Sequence, residues 1–238
     1  DEDRDAIRDR VETSLRTEAG KPMEASQASY SGEGFEDYID WRLKNPSNDL
    51  MTELLQAEFK DDSGAMRKLT RDEVLIFVNV IAGAGNETTA KLIGWIAKLL
   101  GEHPDQRRQI AKDPAMINPA IEEILRYEPP GPSVARHVTQ DVEIRGQIVP
   151  AGSVILFLLA SANRDAERFT NGELFDINRQ DPPHMTFGRG VHACLGAALA
   201  RVEGRVALDE MLKRFPDWTV DLENAKLSSS SSTRGWDS

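Results

Sequence analysis

The sequence predicts a mainly α fold with small β-sheets, and three observations carry that expectation. Residues 70–101 are apolar around most of a helical wheel, the signature of a buried helix. Residues 195–215 (LGAALARVEGRVALDEMLKRF) read as a second long helix. Between them, Val134, Val138, Val142, Ile144, Ile148, Val149, Val154 and Ile155 fall in short runs broken by Gly146, Pro150 and Gly152, so residues 132–155 read as short strands in hairpins.

In chain order, residues 1–19 alternate charge with Ile7, Val11 and Leu15, a narrow amphipathic helix. Residues 20–34 are small, polar and glycine-bearing, a connection. A second helix is expected over 35–43, ending near Asn45-Pro46, and a third over 49–59, followed by a polar loop over 60–68. Thr70-Arg71-Asp72-Glu73 has the form of a capping box at the mouth of the long helix. That helix runs to Gly101, a span of roughly 45 Å at about 1.5 Å per residue. Shorter helices follow at 104–112 and 117–128, the latter stopped by Pro129-Pro130. After the strands, the apolar stretch 156–163 leads into an irregular segment, 164–183. Residues 228–232 are five serines, read equally well as a flexible run or as the bend of a terminal β-hairpin.

The 238 residues are 39% hydrophobic, 29% charged and 6% aromatic, enough apolar material for one globular domain with a real core. The single cysteine excludes an internal disulfide and zinc sites of the CxxC type, and it fits a reducing compartment. No apolar run approaches the ~20 residues of a membrane span. The longest, 149–162, is interrupted by Pro150 and Gly152. The chain opens on Asp1-Glu2-Asp3-Arg4-Asp5 with no signal peptide in view, so a cytoplasmic, soluble protein is the default expectation. A net charge of −11 argues against nucleic acid or an anionic membrane as main partner. Arg189, Arg201, Arg205, Lys213 and Arg214 nevertheless gather near the cysteine. They read as a face for an acidic electron donor, or equally as ordinary helix-surface charge.

That cysteine, Cys194, sits in Phe187-Gly188-Arg189-Gly190-Val191-His192-Ala193-Cys194-Leu195-Gly196, a glycine-hinged loop feeding the last helix. Pro182 and Pro183 hold the approach extended, and Gly188 and Gly190 permit backbone angles and close contacts that a side chain would block. A helix N-terminus presents unpaired N–H groups and favours an anion, and the thiolate is the form of cysteine that ligates metal. The plainer reading is that a lone cysteine is a small buried hydrophobe.

A second anomaly lies inside the long helix: Ala82-Gly83-Ala84-Gly85-Asn86-Glu87-Thr88-Thr89. Two glycines cost about 1 kcal/mol each relative to alanine, and polar groups in a buried element cost more unless paired. A threonine hydroxyl at position 88 has the carbonyl of Ala84 within reach and loosens that turn. The segment reads as a place where something flat packs, or as a glycine kink for helix packing. Glu123 and Arg126, three apart, share a face of the 117–128 helix; alone, such a pair is usually a solvated one worth about 0.3–0.5 kcal/mol. Arg136 alone is an edge-strand surface residue and His192 a loop residue.

Phe-Gly-x-Gly-x-His-x-Cys-x-Gly resembles the haem-binding loop of the cytochromes P450, with every fixed position filled. The element around residues 83–89 resembles the oxygen-binding element of the same family, with Thr88 at its threonine and Glu87 in place of the commoner Asp. Glu123 and Arg126 are similar to the family's ExxR pair, and Arg179 stands where an arginine completes that pair. The order of elements resembles soluble bacterial members over about 35–238, with residues 1–60 similar, less specifically, to their substrate-covering helices.

The resemblance implies a P450 fold incomplete at the N-terminus, the C-terminal portion of one domain, with 181–215 as cysteine loop and proximal helix. It implies a b-type haem (heme b) ligated by Cys194, with Ala84, Gly85, Arg136, Phe187, Gly188, Gly190, His192 and Gly196 around it. Arg136 and His192 are then propionate partners, and Glu123, Arg126 and Arg179 a structural triad locking the cysteine loop. It implies a haem-thiolate monooxygenase in which Thr88 and Glu87 steer protons, fed from NAD(P)H through a ferredoxin or flavodoxin-type donor and acting on a small apolar substrate near residues 78–82, 132–134 and 228–232. The rival readings are a haem-thiolate peroxygenase or isomerase, and a non-catalytic haem-binding fragment.

Overall fold

The computed structural model describes residues 35–180, 183–230 and 232–237. The helix expected over 1–19 and the connection over 20–34 lie outside them. The chain forms two compact units, Asp1–Glu87 and Thr88–Ser238, and the long helix contributes residues to both.

In the first unit, α1 (Glu36–Lys44) is followed by α2 (Leu50–Gln56), whose start is capped by Asp49: its carboxylate accepts the N–H of Thr52 at 2.9 Å. The third helix was expected to reach residue 59, and residues 60–68 were expected to be a polar loop. Instead, α2 stops at Gln56, and β1 (Glu58–Lys60) pairs antiparallel with β2 (Met66–Lys68), Phe59 opposite Arg67. The turn between them makes this possible. Asp61 Oδ1 accepts the N–H groups of Ser63 and Ala65, and Gly64 takes φ +86°, a region that suits glycine. The Arg67 guanidinium then lies 4.6 Å from the Phe59 ring centre.

The long helix, α3 (Arg71–Glu102), opens on the expected capping box. Thr70 Oγ1 accepts the Glu73 N–H at 3.2 Å while Glu73 Oε2 accepts the Thr70 N–H at 2.8 Å. Arg67 adds a two-pronged bond to Glu73, which holds that carboxyl down at about 2. Ile39, Val74 and Leu75 form the unit's buried core, lined by Phe35, Met51, Leu55, Leu69 and Val78. Burial all round α3 was expected, but Ile76, Phe77, Val80 and Ile93 are exposed. The helix packs on some sides and leaves others open among the described residues, something that composition without neighbours does not distinguish.

In the second unit, the core gathers Leu92, Trp95, Ile96, Leu99 and Leu100 from α3 with Ile110 of α4 (Pro104–Lys112), Ile117, Ile121, Ile124 and Leu125 of α5 (Ile117–Tyr127), and Leu208 of α7 (Ala197–Arg214). Helix α7 approaches closely at Gly204, where a Cβ would sit 3.1 Å from Leu92 and 3.4 Å from Ile121. The strands form two pairs. In one, β3 (Val134–His137) lies antiparallel to β6 (Val154–Phe157). In the other, β4 (Val142–Ile144) and β5 (Gln147–Val149) make a tight hairpin. Its two-residue turn puts Arg145 (φ +51°) and Gly146 (φ +79°) in the left-handed region, the geometry that matches strand twist. A one-turn helix, α6 (Leu159–Ala162), follows.

Near the end of the chain, Leu227 bridges Trp236, and the N–H of Ser228 donates to Gly235 O at 2.7 Å, so Ser228 lies in a hairpin-like reversal. That reversal is fastened to α3. Trp95 Nε1 donates to Arg234 O at 3.0 Å, and buried Lys91 donates to Trp236 O and to Asp237 at 2.6 Å.

Candidate functional site

The cysteine loop is shaped by its own backbone. Gly188 (φ +65°) and Gly190 (φ +74°) occupy the left-handed region, which would strain any other residue there. The Gly188 N–H donates to Met185 O at 2.8 Å, and a short 3-10 turn spans Gly190–His192. The Cys194 N–H donates to Phe187 O at 2.8 Å, closing the loop on its first residue. Helix α7 begins at Ala197 with Gly196 at its N-cap, two residues later than the expected 195. A Cβ on Gly196 would lie 4.0 Å from the Cys194 sulfur. The thiol is free and exposed, which removes the buried-hydrophobe alternative.

Behind the loop, Glu123, Arg126 and Arg179 come together. Arg126 makes five hydrogen bonds: two to the Glu123 carboxylate (2.7 and 2.8 Å), two at 2.8 Å to Asn163 O and Gly172 O, and one at 3.0 Å to Leu174 O. Arg179 Nε donates to Glu123 at 3.3 Å, and its other nitrogens donate to Thr170 O, Asn171 O and Leu174 O. Glu123 and Arg126 are almost wholly buried, so this is not the solvated pair of the plainer reading. A buried ion pair is tolerable only when its remaining donors and acceptors are satisfied, and here the irregular segment supplies carbonyls to do so.

Asn163 was missed as a site residue. It is fully buried and joins the network to the start of the cysteine loop. Its Nδ2 donates to Arg126 O and Thr186 Oγ1, its Oδ1 accepts the Met185 N–H at 2.7 Å, and Thr186 Oγ1 donates to Leu125 O. The signal available was its position, an amide side chain closing the apolar stretch 156–163.

Arg136 lies on β3, exposed, with Nη1 donating to Ala135 O, and His192 is exposed in the 3-10 turn. Of the five basic residues near the cysteine, Arg201 pairs with Glu122, Lys213 with Asp209 and Glu210, and Arg214 with Glu210. Arg189 and Arg205 are exposed. The side chain of His184 is only 6% exposed. On α3, Ala84 and Gly85 are exposed, Glu87 is buried and Thr88 is partly buried. A Cβ built on Gly85 meets nothing within 4 Å. Ala84, Gly85 and Glu87 belong to the first unit; Thr88 and the remaining candidates belong to the second.

This set suits a porphyrin iron. An exposed thiol stands on a backbone-braced loop with Gly196 near its sulfur, and Arg136 and His192 are two exposed nitrogen-bearing side chains that suit acidic edges. Among the described residues, no cluster of three or more His, Cys, Asp or Glu offers a rival metal site, and no helix is long and apolar enough to cross a membrane.

The family model for cytochrome P450 matches residues 21–232. Cytochrome P450 CYP107DY1 of Priestia megaterium is 37% identical over 218 residues, covering 89% of this chain and 52% of that protein. The biotin biosynthesis cytochrome P450 of Bacillus subtilis is 39% identical over 182 residues, covering 76% of this chain and 45% of that protein. The crystal structure of P450BioI in complex with an acyl carrier protein ligated to hexadec-9Z-enoic acid superposes with a TM-score of 0.87 at 32% identity, over 100% of this chain and 61% of that one. The chain thus spans about half the length of the curated relatives it matches.

Proposed function

The chain belongs to the cytochrome P450 family, and from that premise we propose that it serves a haem-thiolate monooxygenase acting on a small apolar organic substrate, with electrons from NAD(P)H delivered by a ferredoxin or flavodoxin-type donor. The observation that carries this reading is the cysteine loop: an exposed Cys194 on two left-handed glycines, its amide held by Phe187 O, immediately ahead of α7.

Haem bound there supplies the activation of dioxygen and the insertion of one oxygen atom into the substrate. The chain's own residues do the rest. The Cys194 thiolate would hold the iron and donate charge to it. Arg136 and His192 would hold the propionates as donors. Gly85 and Ala84 keep the surface of α3 low, so that a flat group is not pushed away. Glu87 and Thr88, adjacent on that helix, hold and pass protons on the substrate side. That pair favours a monooxygenase over a peroxygenase or isomerase, neither of which needs protons delivered to dioxygen. The Glu123–Arg126–Arg179 network fixes the segment that leads into the loop.

The test is the reduced CO-difference spectrum of the haem-loaded protein and of Cys194→Ala. The unsubstituted protein should show the thiolate-type band and the variant should lose it. Equal spectra from the two proteins would remove the ligand assignment and the monooxygenase reading with it.

A further inference from the structure

We propose that Glu122 and Arg201 form a positioning clamp on the cysteine loop, separate from the Glu123–Arg126–Arg179 network, that sets the pose of Cys194; the proposal rests on the haem-thiolate reading above. Glu122 and Glu123 are neighbours on α5 but serve different partners. Glu123 is buried against Arg126 and Arg179. Glu122, half-exposed, takes the planar fork of Arg201 from α7: Nε at 2.6 Å and Nη2 at 3.0 Å.

Arg201 reaches both ends of the loop that carries the sulfur. Its guanidinium lies 4.5 Å from the centre of the Phe187 ring, and Phe187 O is the acceptor for the Cys194 N–H. Its Nη1 donates to Ala197 O at 3.4 Å, at the first residue of α7.

Glu122 in turn reaches the approach to the loop. The Thr186 N–H donates to His184 Nδ1 at 3.2 Å, and His184 Nε2 stands 3.3 Å from Glu122 Oε2, a close approach without hydrogen-bond geometry. The His184 ring lies 5.9 Å from that of Phe187. One carboxylate therefore bonds residue 201, beyond the loop, and lies against residue 184, before it. An isolated exposed ion pair contributes about 0–1 kcal/mol, but a two-pronged, ring-stacked pair sharing a third partner behaves as a network. The charges agree with this arrangement. Arg201 is pushed above its ordinary value by its hydrogen bonds to Glu122, against burial, and further by the charges of Glu122 and Cys194.

The experiment measures hydrogen exchange at the Cys194 amide in the haem-loaded and the haem-free protein, with the lifetime of the thiolate-type band in the reduced CO complex as a second readout. Glu122→Gln should speed exchange at that amide roughly tenfold, equivalent to about 1.4 kcal/mol of local opening, and shorten the band's lifetime several-fold. Arg201→Lys keeps the charge but lacks the fork and the plane, and it should behave like Glu122→Gln, whereas a simple surface ion pair would be satisfied by lysine. Lys213→Ala, which breaks an ion pair elsewhere on α7, should change neither readout. Wild-type exchange and band lifetime in both Glu122→Gln and Arg201→Lys would overturn the clamp while leaving the haem-thiolate reading intact. An unsubstituted protein without a thiolate-type band would sink that reading instead, and exchange in the haem-free protein would still decide the clamp. If Glu122→Gln fails to fold, Arg201→Lys carries the decision alone.

Discussion

Asn163 accepts the backbone N–H of Met185 on Oδ1 at 2.7 Å, and through this bond the buried arginine network of α5 reaches the entrance of the cysteine loop. Asparagine suits the place because it offers an acceptor and two donors from one short side chain, and all three are used: Met185 N–H on one side, Arg126 O and Thr186 Oγ1 on the other. Replacing Asn163 by Ala strands these groups out of reach of water. Unfolding by urea should show a loss of about 2 kcal/mol, and a midpoint equal to wild type would show that water takes over the bonds.

Arg126→Ala should be more damaging. It leaves Glu123 buried with only Arg179 and the Asp176 N–H, and it frees the carbonyls of Asn163 and Gly172, while Leu174 O keeps its bond from Arg179. Removing one partner of a buried pair costs about 3–5 kcal/mol. The yield of folded, haem-loaded protein should fall severely, and a normal yield would show that the network is dispensable.

Two glycine substitutions should part company. A Cβ on Gly172 would stand 2.7 Å from Arg164 O, a backbone atom that cannot swing aside, so Gly172→Ala should lower stability by about 1–3 kcal/mol. A Cβ on Gly85 meets nothing, so Gly85→Ala should gain up to about 1 kcal/mol of helix propensity. Under the proposed function the same change narrows the space above the haem, so turnover should drop while the melting temperature holds or rises. Parallel loss of both would contradict the open-face reading of Gly85.

Glu122 should leave a mark on acid stability. Burial pushes its carboxyl up, but His184 and Arg201 outweigh that and hold it at about 2, against an ordinary 4.5. A depressed carboxylate stabilises the fold above its unfolded value and loses that contribution as pH falls. Stability from this group should therefore decline between about pH 4.5 and about pH 2. Denaturant titrations of Glu122→Gln should show a shallower fall over that window, and because the side chain is half-exposed the difference should shrink in high salt.

What could be read from sequence, and what could not, follows the range of the interactions. The capping box of Thr70 and Glu73 spans three residues, and the pattern alone located the mouth of α3. The glycines of the cysteine loop announced its bent backbone for the same reason, since φ is a property of the residue itself. The β1–β2 hairpin was missed because its strands are three residues each and mostly polar, too short to show alternation. Asp61 and Gly64 in the turn were the only cue. Glu122 and Arg201 lie 79 residues apart, and no periodicity reports such a pair. Arg201 accordingly read equally well as part of a face for an acidic donor or as ordinary helix-surface charge. The exposed sides of α3 were invisible for a related reason: hydrophobicity states what a face prefers, not whether a neighbour arrives.

The bond from the Cys194 amide to Phe187 O has a kinetic corollary. A loop closed on itself by such a bond has less ordering entropy to lose when a prosthetic group arrives than an open one. Capture of haem at this loop should then run at a pace governed by diffusion and by release of the incoming group from its carrier. Its activation enthalpy should be low, and the rate should barely respond to viscogens that slow internal chain motion without slowing encounter.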